Sequence, residues 1–333
     1  MKSIFLCEDK SCVSRVYTKS IAETLEREAE LSTVIYNKAE ILSSPETFKT
    51  VEYIFSTWNM PAFTKEEVNA YLPSLKCIFY AAGTVKFFAR GFLDAGVRVF
   101  SARTANAIPV AETAAAQIVL ANKGFFQTSR VYKQKQYATS RAVLEKCAGN
   151  YDTNVGIIGA GAIGKQVIRL LHNYRLNIFV YDPFLPDEEA ANLYVKKCDL
   201  QTLFSTCVTV SNHLADNPQT KGMLTGDLFL SMPPFATFIN TGRGAQVAER
   251  ELIDALKKRP DLTAVLDVTD PEPVPTDNEL YKLDNCILTP HIAGSQNNEV
   301  HRMSEYMLEE FWRYIRGENC LFEITREMLG TMA

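Results

Sequence analysis

The sequence predicts an α/β protein built from two parallel-sheet domains, and three observations carry that expectation. The chain has 333 residues, whereas a single hydrophobic core stops growing at roughly 250–300 residues. Short apolar and aromatic runs alternate along it with helical stretches, the pattern of repeated strand–helix units. One of these units carries a glycine-rich turn, Gly159-Ala160-Gly161-Ala162-Ile163-Gly164, between an apolar strand and a helical segment. The 47% hydrophobic and 22% charged residues fit a globular chain able to fill two cores.

Taken in order, residues 4–6, 51–55, 76–80 and 97–100 read as strands. Residues 14–30 have helical spacing, with Val16, Ile21, Leu25 and Ala29 on one face. Residues 109–122 are rich in Ala, Ile, Val and Leu, and Pro109 suits the first turn of a helix. Further strands are expected at 154–158, 178–182, 207–210, 235–240, 263–268 and 286–288. An amphipathic helix is expected at 297–316, with Met303, Met307, Leu308 and Phe311 inward. No internal repeat or low-complexity linker interrupts the pattern.

Bulk properties exclude several classes of partner. The net charge is −4, whereas nucleic-acid binders carry a basic face. No uncharged run reaches the roughly 20 apolar residues a membrane span needs; the run 228–242 has 15 residues and contains Pro233 and Pro234. The eight cysteines are scattered without a Cys-x-x-Cys pair, so they read as free thiols in a reducing compartment. Glu8 and Asp9 come too early for a signal peptide. A cytoplasmic protein is expected, with no nucleic-acid or membrane partner and no metal site.

In the glycine turn, Gly159 permits a tight bend, Gly161 lets a pyrophosphate approach the backbone, and Gly164 lets helix and strand pack closely. The backbone N–H groups at Ala162 and Ile163 would open the helix and face the phosphates. A glycine triplet alone also occurs in ordinary turns. Here it follows the run 154–158, and Asp182 lies 18 residues after Gly164, at the end of the next strand. A carboxylate there suits the adenosine ribose hydroxyls, although the Asp182-Pro183 pair is also turn-forming. It would repel a 2′-phosphate, so NAD is the expected cofactor rather than NADP.

Three later segments place polar groups just after strands, where ligands of open α/β sheets bind. They are Asn240-Thr241-Gly242-Arg243-Gly244, Asp267-Val268-Thr269-Asp270-Pro271-Glu272-Pro273, and Pro290-His291-Ile292-Ala293-Gly294. An arginine between two glycines suits a ligand loop better than a packed position, although a surface turn would also hold it. Glu272 taken alone would read as a solvated loop acid. His291 is one of only four histidines.

In this order after the glycine turn, the three segments resemble the D-isomer-specific 2-hydroxyacid dehydrogenases, over most of the chain from about residue 110 to 302. The resemblance implies hydride exchange between NAD and a small 2-keto or 2-hydroxy acid. His291 would be the general acid–base. Glu272 would orient its imidazole, and Arg243 would bind the substrate carboxylate and polarise the carbonyl. His213 lies in a segment that resembles the family's stretch beside the nicotinamide ribose, with a purely structural role as the alternative. Asp267 matches a family position near the nicotinamide amide, and Thr241 is a further cofactor-binding candidate. The family fold implies two Rossmann-like or flavodoxin-like parallel-sheet domains. The NAD-binding domain, residues 104–294, would be inserted into a discontinuous substrate domain of residues 1–103 and 295–333, with the active site in the cleft.

The departure from the family lies in the loop Tyr80-Ala81-Ala82-Gly83-Thr84-Val85-Lys86, where Lys86 replaces an expected acid. Backbone N–H groups at Gly83 and Thr84 remain candidates to hold a carboxylate, and Trp58 and Met60, with nearby Phe87, are candidates for an apolar wall. A homodimer is expected through 109–132, where apolar residues exceed what one inward stripe requires. Two rival classes stand beside the dehydrogenase. An NAD-binding regulator resembling this family's corepressors would keep the same triad, but the chain has no long disordered tail or basic patch. A short-chain dehydrogenase needs Tyr-x-x-x-Lys, and none of the 14 tyrosines is so placed.

Overall fold

The computed structural model describes residues 2–134 and 136–330. Among the described residues, thirteen strands follow in chain order. They are β1 (Ser3–Leu6), β2 (Leu31–Tyr36), β3 (Tyr53–Ser56), β4 (Cys77–Tyr80), β5 (Arg98–Ser101), β6 (Tyr151–Ile158) and β7 (Arg175–Tyr181). Then come β8 (Lys196–Lys197), β9 (Thr209–Asn212), β10 (Thr237–Asn240), β11 (Thr263–Leu266), β12 (Cys286–Leu288) and β13 (Glu323–Ile324). They build two sheets, of six strands in the order β13-β5-β4-β3-β1-β2 and seven in the order β12-β11-β10-β9-β6-β7-β8. Pairing is parallel throughout except where β13 runs antiparallel to β5. Contacts divide the chain into a unit of residues 2–107 with 295–330 and a unit of residues 108–294. Residues 331–333 of the C-terminal segment assigned to the first domain lie outside the described residues.

Unit 1 is held by aromatic packing on its central strands. Phe79 of β4 stacks between Phe55 and Phe100, with ring centroids at 5.2 and 5.0 Å. Phe311, on the helix Glu299–Ile315, meets Phe55 and Phe79 edge-on at 5.6 Å. Each such pair adds about 0.5–1.5 kcal/mol beyond the area it buries. The same helix buries Glu310 completely. Its carboxylate accepts from the Leu321 and Phe322 N–H groups at 2.7 and 2.8 Å and pairs with Arg313 at 3.0 Å. The charge is thereby compensated, and the chain leading into β13 is tied down.

Three expectations are corrected here. The segment 14–30 forms two helices, Lys10–Val16 and Lys19–Ala29. Thr18 breaks the run because its hydroxyl caps the second helix by accepting from Ile21 N–H at 3.3 Å. The helix expected at 109–122 starts earlier, at Arg103, with Pro109 inside it. An internal proline costs about 3 kcal/mol or more. Ala105 packs in the core of unit 1, and Ala111, Ala114 and Ile118 in a core of unit 2; this burial offsets the lost bond. Short strands β2, β8 and β13 were not anticipated. All three are edge strands with mixed or exposed residues, so apolar periodicity does not mark them.

Candidate active site

In unit 2 the register aligns Ile158, Asn212, Asn240, Leu266 and Leu288 at the carboxyl ends of neighbouring strands. Every polar group of the expected site in this unit follows one of these strands or β7, so the sheet itself gathers segments far apart in sequence.

The glycine turn closes β6. Gly159 has φ +88°, and a Cβ there would stand 2.8 Å from the His213 carbonyl oxygen, so only glycine fits. A Cβ at Gly164 would meet the Gly159 carbonyl oxygen at 2.0 Å, which enforces close packing of strand and helix. Gly161 differs: a Cβ there meets nothing within 4 Å. The space is open, and the helix Ala162–Leu171 starts beside it with no side-chain cap. Its first N–H groups, including those of Ala162 and Ile163, are therefore left for a ligand. Asp182 follows β7 and anchors the turn. Its Oδ2 accepts from Ala160 N–H at 2.7 Å, and its Oδ1 from Phe184 N–H at 2.8 Å. An open cradle, free helix N–H groups and a carboxylate on the next strand suit a dinucleotide.

After β12, His291 adopts φ +54°, a left-handed conformation unusual for a side chain with a Cβ. Its N–H reaches the Asp267 and Thr289 carbonyl oxygens, each at 3.0 Å. Its Nδ1 lies 2.7 Å from Glu272 Oε1. Both side chains are about half exposed, at 48% and 43%, so each is accessible to a ligand. With Nδ1 held by the carboxylate, Nε2 is the nitrogen left to meet a substrate.

Asp267 shapes this loop from below. It is buried, and its carboxylate accepts from Thr289 Oγ1 at 2.6 Å and from the Ile292 and Ala293 N–H groups at 2.8 Å. All three donors belong to the segment carrying His291, so its observed role is to fix that segment. Thr241 and His213 are both buried, with Thr241 Oγ1 3.4 Å from His213 Nδ1 and Ser211 Oγ 3.0 Å from His213 Nε2. Burial pushes His213 down to about 4, so the ring is neutral at physiological pH.

Arg243 follows β10. Its Nη1 donates to the Gly242 carbonyl at 2.7 Å, and no carboxylate among the described residues lies within ion-pair distance. Its loop cannot carry a side chain at Gly244, where a Cβ would stand 1.9 Å from the Thr269 carbonyl carbon. Beneath it lies a group of completely buried amides, Asn212, Asn240 and Gln246. Asn212 Nδ2 donates to Asn240 Oδ1 at 3.0 Å and to Gln246 Oε1 at 2.6 Å. Sequence reasoning missed Gln246. The available signal was a long polar side chain next to Val247 in a segment that must be buried.

In unit 1, Trp58 is half-buried under the Arg15 guanidinium, 5.2 Å from the ring centroid. Met60 is only 2% exposed and belongs to the core, so it offers a ligand almost no surface. Gly83 accepts from Ser101 Oγ at 2.6 Å through its carbonyl, and Thr84 is half-buried beside it. Phe87 is 51% exposed.

The profile of the D-isomer specific 2-hydroxyacid dehydrogenase NAD-binding domain matches residues 115–293. That is more than half of the chain. The chain belongs to the D-isomer specific 2-hydroxyacid dehydrogenase family. The matched segment is the family's NAD-binding domain, its cofactor is NAD, and the glycine cradle and Asp182 described above fit that group. Among curated relatives, D-3-phosphoglycerate dehydrogenase of Archaeoglobus fulgidus is 30% identical over 222 residues, covering 67% of this chain and 42% of the relative. The (S)-sulfolactate dehydrogenase of Chromohalobacter salexigens is 25% identical over 297 residues, covering 88% of this chain and 94% of the relative. The apo D-mandelate dehydrogenase of Rhodotorula graminis superposes with a TM-score of 0.81 at 20% identity, over 98% of both chains. Against the phosphoglycerate dehydrogenases it matches, the chain spans 35–47% of their length. The fold agrees with this membership: two parallel-sheet α/β units with D-2-hydroxyacid dehydrogenase structural neighbours. No described helix is long and apolar enough to cross a membrane.

Proposed function

We propose that the protein is an NAD-dependent oxidoreductase interconverting a 2-keto acid and a D-2-hydroxy acid. The observation that carries this reading is the His291–Glu272 pair at 2.7 Å, set on the same sheet edge as the glycine cradle. NAD, when bound, supplies or takes the hydride. In reduction, His291 donates its Nε2 proton to the carbonyl oxygen as the C2–H bond forms, and in oxidation the same nitrogen takes the hydroxyl proton back. Glu272 accepts from Nδ1–H, fixes the ring, and stabilises the imidazolium that precedes proton transfer. Arg243 binds the substrate carboxylate through its planar fork of donors.

Unit 2 is the cofactor domain in this reading and unit 1 the substrate domain. Asp182 favours NAD over NADP; Thr241, His213 and Asp267 support the nicotinamide end, the last by holding the His291 loop. Backbone N–H groups of Gly83 and Thr84 contribute to substrate binding, with Trp58 and Phe87 rather than the buried Met60 as the apolar surface. The relatives named for phosphoglycerate, sulfolactate and mandelate support a 2-hydroxy acid and leave its side chain open. The test is a panel of 2-keto acids with NADH, followed by absorbance. Turnover of at least one member is expected. No oxidation of NADH with any of them, and no NAD reduction with the matching hydroxy acids, would remove the proposal.

A further inference from the structure

We propose that Gln246 is the positioning residue for the substrate-binding arginine, and this rests on the reading of Arg243 given above. Gln246 ends the short turn of 3₁₀ helix Gly244–Gln246 and is completely buried. A buried primary amide carries two acceptor sites and two donors, so its partners state what it organises. Its Oε1 accepts from the backbone N–H of Arg243 at 3.3 Å and from Asn212 Nδ2 at 2.6 Å. Its Nε2 donates to the Leu214 carbonyl at 2.8 Å. One side chain thus joins the arginine's own backbone to the strand end and loop carrying His213.

The other buried amides complete the clamp. Asn240 Nδ2 donates to the Arg243 carbonyl at 3.1 Å, and Asn240 Oδ1 accepts from Gly242 N–H at 3.0 Å. Asn212 Oδ1 accepts from Leu214 N–H at 3.2 Å. Both backbone groups of Arg243 are therefore held by buried amides, the N–H by Gln246 and the C=O by Asn240, and of these two Gln246 also reaches Leu214. Gly242 belongs to the same device. A Cβ there would stand 2.9 Å from Gln246 Oε1 and 3.0 Å from Asn212 Nδ2, so a larger residue at that position would push the two amides aside.

The side chain of Arg243 leaves a backbone locked at both its N–H and its C=O. A guanidinium that must meet a carboxylate with two parallel hydrogen bonds depends on that placement. Displacement by about 1 Å at such a site can cost on the order of a hundredfold in rate. In this proposal Gln246 acts on the substrate through Arg243.

The experiment is a double-mutant cycle on the full chain with the best 2-keto acid found for wild type. Gln246→Leu keeps volume and removes every side-chain hydrogen bond. It is expected to raise the keto-acid KM about tenfold or more, the scale of a lost buried hydrogen bond at a charged site, while the NADH Kd changes less than about twofold. In the Arg243→Ala background the same substitution should add almost nothing to KM, because the group it positions is already gone. Gln246→Glu retains the acceptor for Arg243 N–H and should recover part of the KM effect; it also serves if the leucine variant does not fold. Multiplying effects in the double mutant, or equal losses of NADH and keto-acid affinity, overturn the proposal by showing a merely structural role. A wild-type protein that binds NADH but turns over no keto acid would instead defeat the assigned function, and with it any substrate arginine for Gln246 to position.

Discussion

At Asp182 the carboxylate is divided between two backbone donors, Ala160 N–H on the glycine turn and Phe184 N–H on the loop after β7. It therefore holds the cradle, and in the proposed reading it also meets the ribose. Its negative charge is the residue-scale reason to expect discrimination against a 2′-phosphate. The specificity constant for NADH should exceed that for NADPH by about tenfold or more, a difference of at least one charge-assisted contact. Asp182→Ala should narrow the ratio while weakening both cofactors, since the turn loses its anchor. Equal constants in wild type would remove the claim.

His213 gives a prediction of another kind. Unfolded, it titrates near 6.5, whereas burial holds it at about 4 in the folded chain. Above pH 6.5 both states carry a neutral ring and nothing is lost. As pH falls from 6.5 towards 4, the unfolded chain binds a proton that the folded chain refuses, and stability drops. The limit is about 3 kcal/mol at 1.36 kcal/mol per pK unit. Urea unfolding at pH 7 and pH 4.5 should show a larger fall for wild type than for His213→Gln. Identical falls would mean that the ring is not held neutral.

Among elements, the glycine turn makes the sharpest separation of folding from binding. Gly164→Val drives a Cβ into the Gly159 carbonyl and should lower the melting temperature by several degrees, since a backbone clash costs on the order of 2 kcal/mol or more. Gly161→Val places its side chain in open space. It should fold with a nearly unchanged melting temperature yet bind NADH at least about tenfold more weakly, because the side chain takes the volume a pyrophosphate needs. Calorimetric titration beside thermal unfolding tests both; tight NADH binding by Gly161→Val would show that the dinucleotide does not lie there.

What the sequence revealed at this scale follows burial. Central strands such as β4 and β11, buried along their whole length, stand out as apolar runs, and so do the polar groups that follow them. Edge strands such as β8, two exposed lysines, carry no such signal. The break at Thr18 was hidden because Val16, Ile21 and Leu25 all remain buried across it, so the apolar spacing survives while the backbone turns. Met60 was placed by its position after a strand, and position alone does not say which way a side chain faces. The buried amides escaped for a related reason: Gln246 is polar by type and buried only because the loop above it must be held.

On the scale of the whole molecule, the surface around the helices Arg103–Asn122, Phe125–Lys133 and Tyr137–Leu144 exposes Leu120, Phe125, Tyr132 and Tyr137 by 39–65%. Exposed apolar side chains of this kind suit an interaction surface, and we propose a second copy of the chain as its partner. Light scattering at micromolar concentration should give twice the monomer mass, and Tyr132→Glu with Phe125→Glu should return it to monomer. A monomeric wild type would refute the pairing.

In the proposed reaction, hydride passes from NADH to C2 of a keto acid while His291 delivers the proton. It is tested most directly with NADH carrying deuterium at both hydride positions of the nicotinamide and a 2-keto acid, the product being read by mass spectrometry in wild type and His291→Asn. Wild type should yield a 2-hydroxy acid with one deuterium at C2. His291→Asn should bind NADH within about twofold of wild type but form that product about 10²–10⁴ times more slowly, the worth of general acid–base catalysis. A hydroxy acid without deuterium, or a His291→Asn protein that makes the labelled product at the wild-type rate with hydride transfer limiting, would contradict the account.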